Sequence, residues 1–172
     1  TLVTMDPYNH YEENPDHVRA ARAAEAACWM AAGPKEYPEH YRMGLKPCWV
    51  REKYYHARSP NGHNLVNRIV DISDYIDIKV NGNVANKGKG PAGLAGSRLR
   101  AELTASGRRL ELLGNNDDDA NFNYVKHFLM DDWRLLGRRF GMQYAEAFRY
   151  IEAPPDYREN IRQYVNQHAT TV

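Results

Sequence analysis

The stretch that decides the fold reads Leu2-Val3-Thr4-Met5 and Asp6-Pro7, followed after a short loop by Asn14-Pro15-Asp16-His17. The first four residues are typical of a strand, and the Asp-Pro pair ends it. Asn is a good N-cap, Pro suits the first helical position, and Asp16 complements the helix dipole. The sequence therefore predicts a strand, a loop and a helix that runs to the Gly33-Pro34 stop.

The predicted helix has one small and apolar side. On a helical wheel this side carries His17, Val18, Ala21, Ala24 and Cys28. The charged residues Arg19, Arg22 and Glu25 cluster on a different side. His17 should therefore point inward at the first turn of the helix.

Strands and helices alternate along the rest of the chain. The patterns predict strands within residues 49–55, 65–72 and 145–151, and helices at 73–80, 98–113, 120–140 and from about residue 156. This alternation favours an α/β fold with a Rossmann-like, largely parallel sheet flanked by helices, in which ligands bind beyond the carboxyl ends of the strands. In this chain that end holds residues 6–17.

Composition narrows the class of function. The chain has 172 residues and a formal net charge of +1, with acidic and basic residues mixed along it, so we expect neither a nucleic-acid nor a membrane surface. Cys28 and Cys48 are too few for a disulfide framework, which favours a reducing, cytoplasmic compartment. We expect a small polar substrate or a protein partner.

Residues 6–17 concentrate groups that carry chemistry. Three acids, two histidines and two tyrosines follow Asp6-Pro7 within this loop and helix start. Imidazole and carboxylate are the usual zinc ligands and the usual acid and base groups of hydrolysis. Such groups concentrate on loops held by a rigid scaffold, so this junction is the candidate site.

The same residues carry a family resemblance. Thr-Met-Asp-Pro followed by Asn-Pro-Asp-His resembles the second signature of the PIG-L/LmbE-like zinc-dependent deacetylases, in which Asp-Pro precedes a His-Pro-Asp-His helix start. Segments 44–47, 50–55, 70–79 and 144–148 resemble later family segments in the same order. The resemblance covers about residues 1–80, with the last segment near the end of the chain.

The resemblance implies a zinc site that this chain only partly supplies. In the family, a His and an Asp of an N-terminal Ala-His-Pro-Asp-Asp motif and the last His of the second signature bind one Zn²⁺, and a further Asp is the general base. By resemblance His17 is the metal ligand of this chain. Asp16, Asn14 and His10 are the candidate catalytic residues, and Tyr11 and Asp6 are the candidate substrate-binding residues.

The first family motif is absent from this sequence. The resemblance therefore implies that residues 1–172 are the C-terminal part of a single domain and that an N-terminal chain or fragment supplies the remaining zinc ligands. Thr1 opens directly into a strand, which fits a chain boundary or a precursor cut into two chains that stay together. The expected whole is an oligomeric amidohydrolase that removes an acetyl-like group from a small molecule or sugar.

One position departs from the family pattern. Asn14 stands where the family has the first His of its signature, a residue that stabilises the intermediate or protonates the leaving amine. Asn cannot protonate an amine, although its amide can donate to an oxyanion. His10, Tyr11 or a group of the partner chain are the alternatives for the proton.

Simpler readings of these residues remain open. His17 could be satisfied by local hydrogen bonds, Asp16 could be an ordinary first-turn acid, and Asp6 could serve only an Asp-Pro turn. His10 and Tyr11 could be exposed loop residues. The remaining histidines show no metal spacing and are taken as structural: His40, His56, His63, His127 and His168.

Two other functions also remain open. Thr1 could be an N-terminal nucleophile with its α-amine as base, although it would lie roughly 16 Å from Asp6, at the opposite end of the strand. The Asn14 departure could instead mark a member of the family that has lost catalysis and keeps only a ligand pocket.

Overall fold

A computed structural model of the chain describes residues 1–8, 12–33, 35–56, 65–88, 92–153 and 157–171. These residues form four strands: β1 Leu2–Met5, β2 Lys53–His56, β3 Arg68–Asp71 and β4 Ala145–Ile151. They also form seven α-helices: α1 Pro15–Ala32, α2 Pro38–Arg42, α3 Ile76–Ala85, α4 Ala95–Ala105, α5 Asp117–Tyr124, α6 Asp131–Arg139 and α7 Tyr157–His168. None of the helices in these ranges is long and apolar enough to cross a bilayer.

The strands form one mixed sheet in the order β1-β2-β4-β3. β1 and β2 are parallel, with Met5 opposite His56, whereas β2 and β4 are antiparallel, with His56 opposite Phe148. The α/β class expected from the alternating pattern is confirmed. β1 lies at one edge of this sheet.

The chain divides into two compact units, one of residues 1–68 with 148–172 and the other of residues 69–147. In the first unit α1 packs against β1, and Ala21 of the helix and Tyr55 of β2 are both fully buried. The side of α1 that faces inward is the one predicted from the helical wheel, with one correction. Glu25, predicted on the charged side, contacts Lys53 and Tyr55 of β2.

The second unit has its own apolar core, built from Ile76, Val80, Ala92, Val125 and Met130. α4 crosses α5 at Gly96, where a Cβ atom would lie 1.9 Å from the carbonyl oxygen of Ala120. The buried side chain of Asn121 accepts a hydrogen bond from the backbone N–H of Ser97 at 2.9 Å, which caps the start of α4 from a neighbouring helix.

Three of the predicted helices have a different extent in the structure. The helix predicted over 73–80 begins with a 3₁₀ turn, Ser73–Tyr75, and continues as α3 to Ala85. The helix predicted over 98–113 begins at Ala95 and ends at Ala105, two residues before Gly107 adopts a left-handed φ of 68°. The helix predicted over 120–140 is broken by a π-helical turn, Val125–Leu129. In a continuous α-helix Val125 and Met130 would point about 140° apart, whereas a turn with i to i+5 bonding brings both into the core.

Candidate functional site

The candidate site lies at the carboxyl end of β1. Because β1 and β2 are parallel with Met5 opposite His56, the carboxyl ends of the two strands lie side by side. Asp6 follows β1 directly, and α1 begins nine residues later at Pro15. The strand-to-helix junction therefore lies beyond the carboxyl ends of the strands, where ligands bind in open α/β sheets.

Asn14 is the N-cap of α1. Its side-chain oxygen accepts a hydrogen bond from the backbone N–H of Asp16 at 3.0 Å, and its backbone is extended, as an N-cap requires. Pro15 occupies the first helical position, and Asp16 is an exposed acid of the first turn. A capping role explains why Asn is well suited to this position, and the cap uses only the oxygen of its amide.

His17 and Glu12 lie side by side in the first unit. Glu12 Oε1 is 3.2 Å from His17 Nδ1, and the exposed fraction is 2% for the Glu12 side chain and 43% for that of His17. The Nδ1 atom is buried, and its approach to the carboxylate is not aligned as a hydrogen bond. Because Nδ1 faces inward while much of the ring is exposed, Nε2 is the nitrogen left to bind an external group.

Asp6 is buried and is held by its own unit. Its Oδ1 atom accepts a hydrogen bond from the backbone N–H of Tyr8 at 2.9 Å and lies 3.8 Å from Nη1 of Arg149 in β4. The guanidinium of Arg149 also lies 5.3 Å from the centroid of the Tyr8 ring. The predicted Asp-Pro turn therefore exists, and a cation balances its carboxylate.

The predicted site residues fall into two groups. Asn14, Asp16 and His17 share the start of α1, and Glu12 joins them through its contacts with Asn14 and His17. Within the described residues, no hydrogen bond or ion pair links Asp6 to this group. His10 and Tyr11 lie outside the described residues.

Thr1, the alternative nucleophile, lies at the other end of β1. Its hydroxyl donates to Glu52 Oε2 at 3.0 Å. Glu52 directly precedes β2, whereas the junction residues follow the opposite end of β1.

Three residues near the candidate site were not singled out from the sequence: Glu12, His56 and Arg149. Glu12 is one of the three acids that follow Asp6-Pro7, but the sequence does not show that the Glu12 side chain is buried while Glu13 is exposed. His56 ends β2 opposite Met5, and only the strand register places it beside the junction. Arg149 comes from β4, which is distant in sequence, so no local signal connects it with Asp6.

Glu25 fastens α1 to the sheet. Its carboxylate accepts hydrogen bonds from Lys53 Nζ, at 2.6 Å, and from the hydroxyl of the fully buried Tyr55. Burial raises the pKa of Glu25, but the hydrogen bonds from Lys53 and Tyr55 outweigh it and hold the pKa below the ordinary value of 4.5. Burial and the neighbouring Glu25 carboxylate raise the pKa of Tyr55, so the phenol stays protonated as the donor.

A metal at this junction would need ligands beyond these residues. Among the residues that the structure describes, no group of three or more His, Cys, Asp or Glu side chains is placed to bind one ion. His17 fits the role of a single ligand, since its Nδ1 faces a buried carboxylate and its side chain is partly exposed. Catalytic zinc takes three protein ligands and an open position.

Part of a solved deacetylase has a similar fold. The chain is similar to the N,N'-diacetylchitobiose deacetylase from Pyrococcus horikoshii, solved with its inhibitor MPG, with a TM-score of 0.50 and 22% sequence identity. The match covers 87% of this chain and 45% of that one, so the chain spans less than half the length of the deacetylase. No protein-family model and no curated protein matches the sequence. At this identity the likeness concerns the fold alone.

Proposed function

We propose that this chain is the C-terminal part of a zinc-dependent amidohydrolase of the PIG-L/LmbE-like family, which removes an acetyl-like group from the nitrogen of a small molecule or sugar. The observation that carries the proposal is the position and orientation of the His17 side chain. Its ring lies at the first turn of α1, beyond the carboxyl end of β1, with Nδ1 toward a buried carboxylate and the side chain partly exposed. The deacetylase fold supports the same reading.

His17 is the residue of this chain that would hold zinc, through the nitrogen that does not face Glu12. Zinc, when bound, polarises the acyl carbonyl and activates a water for attack. The ordered motif series of the sequence, which ends in Asn-Pro-Asp-His, is the reason for choosing zinc.

The other residues of the junction would bind and orient the substrate. Asn14 uses its oxygen as the helix cap, which leaves its NH₂ group as the donor for negative charge that develops on the carbonyl oxygen. Asp16 adds negative charge beside His17, while His10 is the proposed proton donor to the leaving amine and Tyr11 a contact to the substrate. The buried Asp6 would fix the loop that carries them and offers its second oxygen to a substrate hydroxyl.

A partner segment is part of the proposal. The chain spans 45% of the deacetylase that it is similar to, and β1 lies at an edge of its sheet with Val3 65% exposed. An apolar edge strand is a site for pairing with another strand. We propose that the N-terminal part of the domain, which carries the Ala-His-Pro-Asp-Asp motif and the general base, pairs along β1 through a large apolar interface.

The first substrate to test is chosen from the same comparison. The similar deacetylase is named for N,N'-diacetylchitobiose, so we propose an N-acetylated amino sugar as the first substrate to test. The test measures acetate released from N-acetylglucosamine and its dimer by the complete assembly, this chain together with its N-terminal part. We expect turnover that His17→Ala lowers at least about 10³-fold and that His168→Ala, in α7, leaves unchanged.

Two results would overturn the proposal. One is turnover that survives His17→Ala, which would place the chemistry elsewhere. The other is an assembly that binds zinc but hydrolyses none of a panel of acylated amines, which would favour the ligand-binding alternative.

A further inference from the structure

We propose that Glu12 is a positioning residue, which orients the His17 imidazole so that Nε2 is presented to the metal. The inference rests on the proposed function, because it takes His17 to be a zinc ligand. It adds a residue that the family resemblance does not assign.

The contact itself points to this role. Glu12 Oε1 lies 3.2 Å from His17 Nδ1, and this ring nitrogen is buried. Histidine ligands commonly turn their second nitrogen toward a carboxylate, which fixes the tautomer with hydrogen on Nδ1 and leaves the Nε2 lone pair for the metal.

The position of Glu12 is fixed by the helix that carries His17. The same oxygen, Oε1, accepts a hydrogen bond from the backbone N–H of Asn14 at 3.0 Å. The Asn14 side chain in turn caps α1 at Asp16. Hydrogen bonds therefore join Glu12 to the helix cap beside the His17 ring, an arrangement that suits a preorganised ligand.

The burial of Glu12 argues against a role in packing alone. Only 2% of its side chain is exposed, and a carboxylate in such a place costs free energy unless other groups compensate it. An amide side chain of similar length could accept the same hydrogen bond from Asn14 without burying a charge. The neighbouring Glu13 is exposed, so it provides a matched control of the same type one residue away.

Two measurements test the inference without using activity. The first is ¹⁵N NMR of the His17 ring in the complete assembly before zinc is added, at a pH where the imidazole is neutral. We expect hydrogen on Nδ1 in the parent chain and in Glu13→Ala, and a shift toward the Nε2–H tautomer in Glu12→Ala. The second is the zinc dissociation constant of the complete assembly, which we expect Glu12→Ala to raise about 10–100-fold and Glu13→Ala to leave unchanged.

A third variant separates orientation from folding. Glu12→Gln keeps an oxygen that can accept from both Asn14 and His17, so we expect it to retain most of the zinc affinity and the Nδ1–H tautomer. If Glu12→Ala does not fold, Glu12→Gln is compared with Glu13→Gln instead. We then expect a loss of zinc affinity, smaller than that expected for Glu12→Ala, and a partial tautomer shift in Glu12→Gln, and neither change in Glu13→Gln.

The outcomes distinguish the two proposals. Zinc affinity that survives His17→Ala overturns the proposed function, and the inference about Glu12 falls with it. Zinc binding that requires His17, with tautomer and affinity unchanged in both Glu12 variants, overturns only the inference.

Discussion

At the residue scale, buried polar contacts hold the start and the middle of α1. Glu12 lies against His17 at the first turn, and Glu25 meets Lys53 and Tyr55 two turns later. The first pair belongs to the proposed zinc site, whereas the Glu25 group fastens the helix to the sheet. The second group can therefore be tested by stability alone.

We expect Glu25→Ala to destabilise the fold by about 2–3 kcal/mol, because it leaves the fully buried Tyr55 hydroxyl without its acceptor and Lys53 without its partner. Urea unfolding followed by circular dichroism measures the change. Arg22→Ala, at an exposed position of the same helix, is the control and should change stability by less than about 0.5 kcal/mol. Equal stability of the two variants would show that the contact with the sheet contributes nothing.

The lowered pKa of Glu25 predicts a dependence of stability on pH. Burial opposes ionisation, but the Lys53 and Tyr55 hydrogen bonds hold the pKa in the folded chain below 4.5, the value expected when unfolded. The stabilisation is therefore complete above about pH 4.5 and is lost as the pH falls through the folded value. Between pH 6 and pH 3 the unfolding free energy of the parent chain should fall more steeply than that of Glu25→Gln, and parallel curves would contradict this.

At the element scale, the predictions from sequence were most accurate where strong local signals determine the structure. Asn14-Pro15 and Gly33 set the two ends of α1, and the run 145–151 forms β4 with the predicted bounds. The helix predicted over 98–113 is too long because it runs past the local stop at Gly107, whereas the start of α4 and the break in the helix predicted over 120–140 depend on tertiary contacts. The π-helical turn at Val125–Leu129 places both Val125 and Met130 in the core, and the start of α4 is capped by Asn121 of α5.

The candidate site shows the same division. The sequence indicated the junction and the place of His17 at the first turn of α1, since both follow from local pattern and family resemblance. It did not indicate Glu12, His56 or Arg149 as neighbours, because a loop path and a strand register bring them there. The roles of Asp6, Asn14, Asp16 and His17 in chemistry stay predictions, as do those of His10 and Tyr11.

The crossing of α4 and α5 gives a prediction at this scale. Gly96→Ala should destabilise the chain by at least about 2–3 kcal/mol, since the new methyl group would meet backbone atoms of Ala120 and Asn121 that cannot move aside without separating the helices. Thermal and urea unfolding measure the loss.

Gly82→Ala is the matched control for this substitution. Gly82 lies within α3, is exposed and has no atom within 4 Å of an added Cβ, so alanine there should stabilise the chain by about 0.5–1 kcal/mol. If both substitutions had the same sign, the close approach of α4 and α5 at Gly96 would be contradicted.

At the scale of the whole molecule, we propose that one partner segment completes the metal site and also pairs with the edge strand β1. The described residues hold no cluster that could bind an ion by itself, and the chain spans 45% of the deacetylase with the similar fold. β1 lies at the sheet edge beside the junction. A second segment that pairs along β1 would supply both the missing strand neighbours and the missing ligands.

The central claim is that His17 binds zinc in an assembly completed by the N-terminal part of the domain. Elemental analysis of that purified assembly tests it most directly, with His17→Ala and His168→Ala prepared in parallel. The account predicts about one zinc per copy in the parent and in His168→Ala, and a loss of nearly all zinc in a folded His17→Ala assembly. Stoichiometric zinc retained after His17→Ala would contradict it.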